Sequence, residues 1–172
     1  MYKITTLYKC NWAILGYMNK IVALPAPKPR SVAARNTAWT YAAILTVMAV
    51  GQLFAFEKFI PLLKKYDLVG GDGTATLLAC LIVIVEIMAL PFLLRMRLSR
   101  LMRWVSLCCG VIAPAVWVKL SLFAIITSTE LSNGGILGSK VSVGLVPQLV
   151  LGLVLLVVAA YVAHGLWPTA KK

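Results

Sequence analysis

The sequence predicts an all-α, polytopic membrane protein: a four-transmembrane-helix bundle, N-in and C-in, preceded by an interfacial amphipathic helix. Three observations carry that prediction. Hydrophobic residues make up 61% of the 172-residue chain and charged residues only 13%, against about half and a quarter in a soluble domain. Four stretches reach the roughly 20 apolar residues that a helix needs to cross ~30 Å of hydrocarbon, namely 37–57, 75–94, 104–126 and 143–165. The basic residues, finally, are segregated by side rather than spread over a face.

That segregation sets the orientation and excludes one class of partner. Lys3, Lys9, Lys20, Lys28, Arg30 and Arg35 precede the first span. Arg95, Arg97, Arg100 and Arg103 fill the link between spans two and three, and Lys171 and Lys172 follow the fourth. Twelve cations therefore share one side, and only Lys58, Lys64, Lys65 and Lys140 belong to the other. With an even number of spans, the positive-inside bias puts both termini in the cytoplasm of a cell membrane. The net charge of +12 follows topology and not a soluble basic face, so nucleic acid is not an expected partner.

Residues 1–36 read as a cytoplasmic basic tail. Within it Ile4, Leu7, Tyr8, Ile14, Leu15, Met18, Ile21 and Val22 recur at spacings of three and four, while Lys3, Lys9, Asn19 and Lys20 fall largely elsewhere. Such a helix, carrying Trp12 and Tyr17, suits the headgroup plane of an anionic inner leaflet. No continuous apolar core with a small-residue cleavage site marks a secretory signal. The PAPKPR run, Pro25 to Arg30, is an extended linker, because each proline disfavours helix at the residue before it.

Residues 37–167 form the bundle. Span one has Trp39 and Tyr41 at its inner boundary and runs outward to Glu57 and Lys58. The segment KFIPLLKKYDLVGGDGTAT reads as an outer loop with turn chemistry at GGDG and a cap at Asp72 or Thr74. GGDG lacks the G-x-x-x-x-G-K-[ST] pattern of a phosphate loop. Span three starts after the arginine-rich link near Trp104, and span four ends near Trp167, before the short basic tail 168–172. The cysteines, Cys10, Cys80, Cys108 and Cys109, have no C-x-x-C or metal-type spacing, and His164 has no ligand companion close in sequence. No metal site is expected.

Prolines and polar side chains inside the spans mark where chemistry or packing concentrates. Pro91 frees the carbonyl of Ile87, and Pro114 frees that of Gly110. In hydrocarbon, neighbouring helices, side chains or water must answer such groups. Four polar side chains lie within the spans: Gln52, Glu86, Lys119 and Gln148. Gly144, Gln148 and Gly152 repeat every fourth position, a stripe that lets a helix approach closely and buries the amide against it. Gln52 belongs with this packing set.

Glu86 and Lys119 are the catalytic candidates, because an ionisable group at membrane depth is a functional candidate by default. Spans two and three are antiparallel neighbours, so the two side chains have the chance to face each other across a height difference of ~10 Å at the helical rise. A long lysine stem barely closes that gap, and Lys119 has the alternative of reaching outward to Glu57. The pair reads first as an interhelical hydrogen bond or salt bridge, and second as a proton relay or ligand contact.

GQLFAFEKFIPLL at the end of span one resembles the end of the first helix in the DoxX/MauE-like membrane proteins, and IVIVEIMALPFLLRMRLSRLMRWVSL is similar to that family's second helix and basic link. The resemblance spans about residues 40–165, with Lys58 falling on the family's lysine and Glu86 on its acid. It implies a four-helix inner-membrane protein associated with redox processes. DoxX-type members are related to thiosulfate:quinone oxidoreductase subunits, and MauE-type members accompany maturation of a disulfide-rich amine dehydrogenase. Quinone is the cofactor so implied, with Glu57, Lys58, Glu86 and Lys119 as candidate contacts.

Three functions fit these features. The first is a non-catalytic accessory or scaffold subunit of a redox-linked membrane system, docking a membrane or membrane-associated protein through its basic tail and arginine link. The second is a quinone- or proton-interacting oxidoreductase subunit using Glu86 and Lys119. The third is a small transporter or channel.

Overall fold

A computed structural model describes residues 26, 29–54, 56–66, 71–127, 136 and 144–167, with only the backbone described at 71 and 72. It is all-helical over these residues: α1 (Val32–Phe54), α2 (Phe56–Lys64), α3 (Gly71–Leu93), α4 (Arg100–Ile126) and α5 (Leu145–Leu166). The four long helices, α1, α3, α4 and α5, are each long and apolar enough to cross a membrane. The interfacial helix expected before residue 25 and the tail 168–172 lie outside the described residues.

The starts of α1 and α4 are set by caps rather than by hydropathy. Ser31 Oγ accepts the Ala34 N–H at 3.0 Å, so α1 begins five residues before the apolar window at 37. Ser99 Oγ does the same for Met102 at 3.3 Å and starts α4 ahead of Trp104. Because α3 starts at Gly71, Asp72 and Thr74 lie inside its first turn rather than capping it. α3 stops in a Schellman turn, with Met96 N–H on Pro91 O and Arg95 N–H on Phe92 O, both at 3.0 Å. Arg95 sits there at φ 57°, a conformation that costs a non-glycine residue about 1–2 kcal/mol.

The segment after span one, expected as loop, holds a helix. In α2, Phe59 and Leu63 are buried with Phe56 and Ile60 packed beside them, whereas Glu57 and Lys58 are exposed. This is the i, i+3, i+4, i+7 face of a short amphipathic helix lying on α3.

The spanning helices pack as a ring: α1 on α3, α3 on α4, α4 on α5, and α5 back on α1. Each turns a stripe of small residues inward, for example Ala38, Ala42 and Ala49 of α1 and Ala75, Ala79 and Ala89 of α3. Small residues let backbones approach where lipid supplies no hydrophobic drive for association. Large aliphatics such as Val47, Leu77, Ile84, Val150 and Val157 face outward. The two ends of the ring differ: the α1 start, the α3–α4 link and the α5 end come together at an arginine-rich end. There Arg30 N–H meets Gly165 O at 3.1 Å, Arg30 Nη1 donates to His164 Nε2 at 2.7 Å, and the Trp104 and Trp167 rings meet edge-on at 4.3 Å.

Candidate functional site

The inward stripes carry polar side chains at the positions where their periodicity places them. On α1 the buried series Ala38, Tyr41, Leu45, Met48 ends in Gln52; on α4 the series Ser106, Gly110, Ala113 leads to Trp117. Glu86 occupies the matching place on α3 and is fully buried. The three meet in the bundle core. Glu86 Oε1 accepts from Gln52 Nε2 at 3.1 Å and from Trp117 Nε1 at 3.3 Å. Gln52 Nε2 also reaches the carbonyl of Ile136, in the segment between α4 and α5, at 3.4 Å. From α2, Phe59 tilts against the Trp117 ring with centroids 6.2 Å apart.

One carboxylate thus links α1, α3 and α4, and α2 lies over the indole. Two oxygens of this cluster, Glu86 Oε2 and Gln52 Oε1, are buried and accept no hydrogen bond from the described residues. Each is an acceptor position still available in a low-dielectric core, where polar interactions are strengthened.

Lys119 does not join them. It is exposed on the outer face of α4, and Cys108, three turns below it on the same face, is exposed too. Height is not what separates Lys119 from Glu86, because Glu86 hydrogen-bonds a residue only two positions away on α4. Face is: two residues turn the helix by about 200°. Glu57 and Lys58 also lie exposed, on α2, so of the four candidate cofactor contacts only Glu86 enters the core. The polar seam expected between spans two and three therefore takes its second and third members from Gln52 and Trp117.

The packing residues divide in two. Gln148 is fully buried and its Nε2 donates to Tyr66 Oη at 3.4 Å, tying α5 to the end of the α2 segment. Burial pushes the Tyr66 phenol above its ordinary range, and the Gln148 amide offsets part of that. At Gly152 a Cβ would stand 3.0 Å from Val118 Cγ2, so this glycine does admit α4 closely. Gly144 is instead the N-cap of α5, where among the described residues a Cβ would meet only Pro147 of its own helix.

The freed carbonyl of Gly110 was readable in the sequence; its partner was not. Tyr41 Oη donates to Gly110 O at 2.6 Å, supplying the donor that Pro114 removes. At the other proline, Ser106 Oγ donates to Ala89 O at 3.2 Å and accepts the Phe92 N–H at 3.0 Å, placing a hydroxyl against the turn that holds Pro91. Comparisons of the chain with known protein families, curated proteins and solved structures find no match.

Proposed function

We propose that this membrane protein is a DoxX/MauE-like accessory or scaffold subunit of a redox-linked membrane system, itself non-catalytic, with both termini in the cytoplasm. The observation that supports this reading best is the setting of Glu86. Its carboxylate is enclosed and held by Gln52 and Trp117, which is how a buried acid acts as glue between helices. The surfaces offered to partners are then the basic segment 1–36 and the arginine link. The test pairs two substitutions in the full chain purified from native membranes. Glu86→Gln keeps the acceptor oxygen and adds an amide donor for Gln52 Oε1, so folding and co-purifying partners should be retained. Glu86→Ala strands the Gln52 and Trp117 donors and should lower stability by about 2–4 kcal/mol. Loss of quinone binding in a well-folded Glu86→Gln protein would overturn the accessory role.

A second reading, a quinone- or proton-interacting subunit, draws on the buried acceptor at Glu86 Oε2. In that case Glu86 acts with Gln52 and Trp117 rather than with Lys119, and Glu86→Gln abolishes the activity while the bundle stays folded.

A further inference from the structure

The buried series of α4 runs through Ser106, Gly110, Ala113, Trp117, Leu120 and Ala124, in alternating steps of four and three. A second series with the same steps lies two residues ahead of it, about 200° round the helix. It consists of Cys108, Ile112, Ala115, Lys119, Leu122 and Ile126. Five of the six are exposed and Ala115 is half-buried, so this stripe faces away from the ring of helices. Such steps are the spacing of a helix–helix seam, the a and d positions of a heptad. Cys108 and Ala115 are small enough to let a second backbone approach, and the aliphatic members supply bulk between them.

Lys119 is the polar member of the stripe. Inside a membrane an ionisable side chain ordinarily faces the bundle interior or pairs with an opposite charge. Lys119 does neither: it is exposed, and no hydrogen bond or ion pair joins it to another described residue. It lies seven residues before the end of α4 at Ile126, about 10 Å along the axis. Its Cα–Cβ bond tilts toward the helix start at Arg100, away from that nearer end, so the stem must turn back to carry the ammonium to the interface. Of the two carboxylates whose side chains are described, Glu86 is enclosed with Gln52 and Trp117, and Glu57 lies on α2. A second copy docked in parallel, α4 on α4, would set Lys119 against Lys119.

We propose that this stripe is a docking seam for one spanning helix of a different protein, a helix that presents an aspartate or glutamate to Lys119. The carboxylate neutralises the ammonium within the bilayer and fixes the depth and register of the incoming helix, as a single polar position does in a coiled coil. The seam rests on the accessory role proposed above, to which it adds a contact inside the membrane.

The test uses the full chain in phosphatidylcholine vesicles with a synthetic, tryptophan-free spanning peptide of leucine and alanine. The peptide carries one aspartate about 10 Å from its end, the depth of Lys119, and a dansyl group that accepts energy from the tryptophans of the chain. The aspartate peptide should associate about fivefold more tightly than the same peptide with leucine at that position. Lys119→Leu should abolish the difference and Lys119→Arg should keep it. Position 119 packs on no other helix of the bundle, so folding is not at risk. Lys58→Leu, which removes an exposed cation outside the stripe, should change nothing. Equal association of the two peptides would leave Lys119 to the lipid headgroups and overturn the seam, as would an equal loss in Lys58→Leu. A dimer of the chain that Lys119→Leu dissociates would give the stripe to a second copy and overturn the foreign helix. Glu86 is untouched in every arm, so failure here is separate from the Glu86→Gln result that bears on the accessory role.

Discussion

Pro114 lacks the N–H that would close the helical ring on the carbonyl of Gly110, and in hydrocarbon that oxygen has no water to turn to. Tyr41 answers it from α1, across the ring of helices. The two positions are therefore coupled, and the coupling is measurable. Tyr41→Phe should destabilise the protein in detergent by about 0.6–1.7 kcal/mol, the range of intramembrane hydrogen bonds. In a Pro114→Ala background the backbone donor returns, and the same change should cost close to nothing. A double-mutant cycle read by thermal unfolding checks this; equal costs in both backgrounds would mean the phenol contributes packing and not a bond. The need for a donor at Gly110 was legible in the sequence, since Pro114 alone dictates it. Its source was not, because Tyr41 is 69 residues away and becomes a neighbour only through the ring.

Between elements, the described glycine that would least admit a Cβ lies where α5 ends against the start of α1. A Cβ on Gly165 would stand 2.6 Å from Ala34 Cβ, and Arg30 bonds the Gly165 carbonyl beside it. Gly165→Ala should destabilise by about 1–3 kcal/mol through overpacking, and Ala34→Gly should recover part of that loss, as unfolding in detergent would report. No recovery would mean the helices part rather than clash. Element existence was well written in hydropathy, which placed all four spans, but element edges depend on local hydroxyls such as Ser31 and Ser99 that hydropathy ignores. α2 lies in a segment that the turn chemistry at GGDG marks as loop, although Phe56, Phe59, Ile60 and Leu63 carry a helical face. The same periodicity excludes Lys119 from the core: the buried series of α4 runs through 106, 110, 113, 117, 120 and 124, and 119 is not on it. Depth along the helix drew attention to the Glu86–Lys119 pair; direction around the helix decided against it.

At the scale of the molecule, polar side chains inside and cations at one end serve different ends of the same problem. Gln52, Glu86 and Trp117 join three of the helices through one carboxylate, so the bundle resists separation at its centre. Arg30, Arg35, Arg95, Arg97, Arg100 and Arg103 gather at one end, where α1 begins, α3 turns into α4 and α5 finishes. Placing that end outside the cell would require translocating the arginine link and the basic N-terminal segment, against the bias that retains lysine and arginine in the cytoplasm. The orientation is testable at two exposed positions, Lys58 on α2 and Arg97 in the α3–α4 link. In a chain with Cys10, Cys80, Cys108 and Cys109 replaced by serine or alanine, Lys58→Cys should react with a membrane-impermeant maleimide in intact cells. Arg97→Cys should react only after the membrane is permeabilised. The reverse pattern would invert the bundle, and labelling of both in intact cells would mean that the helices between them do not span an odd number of times.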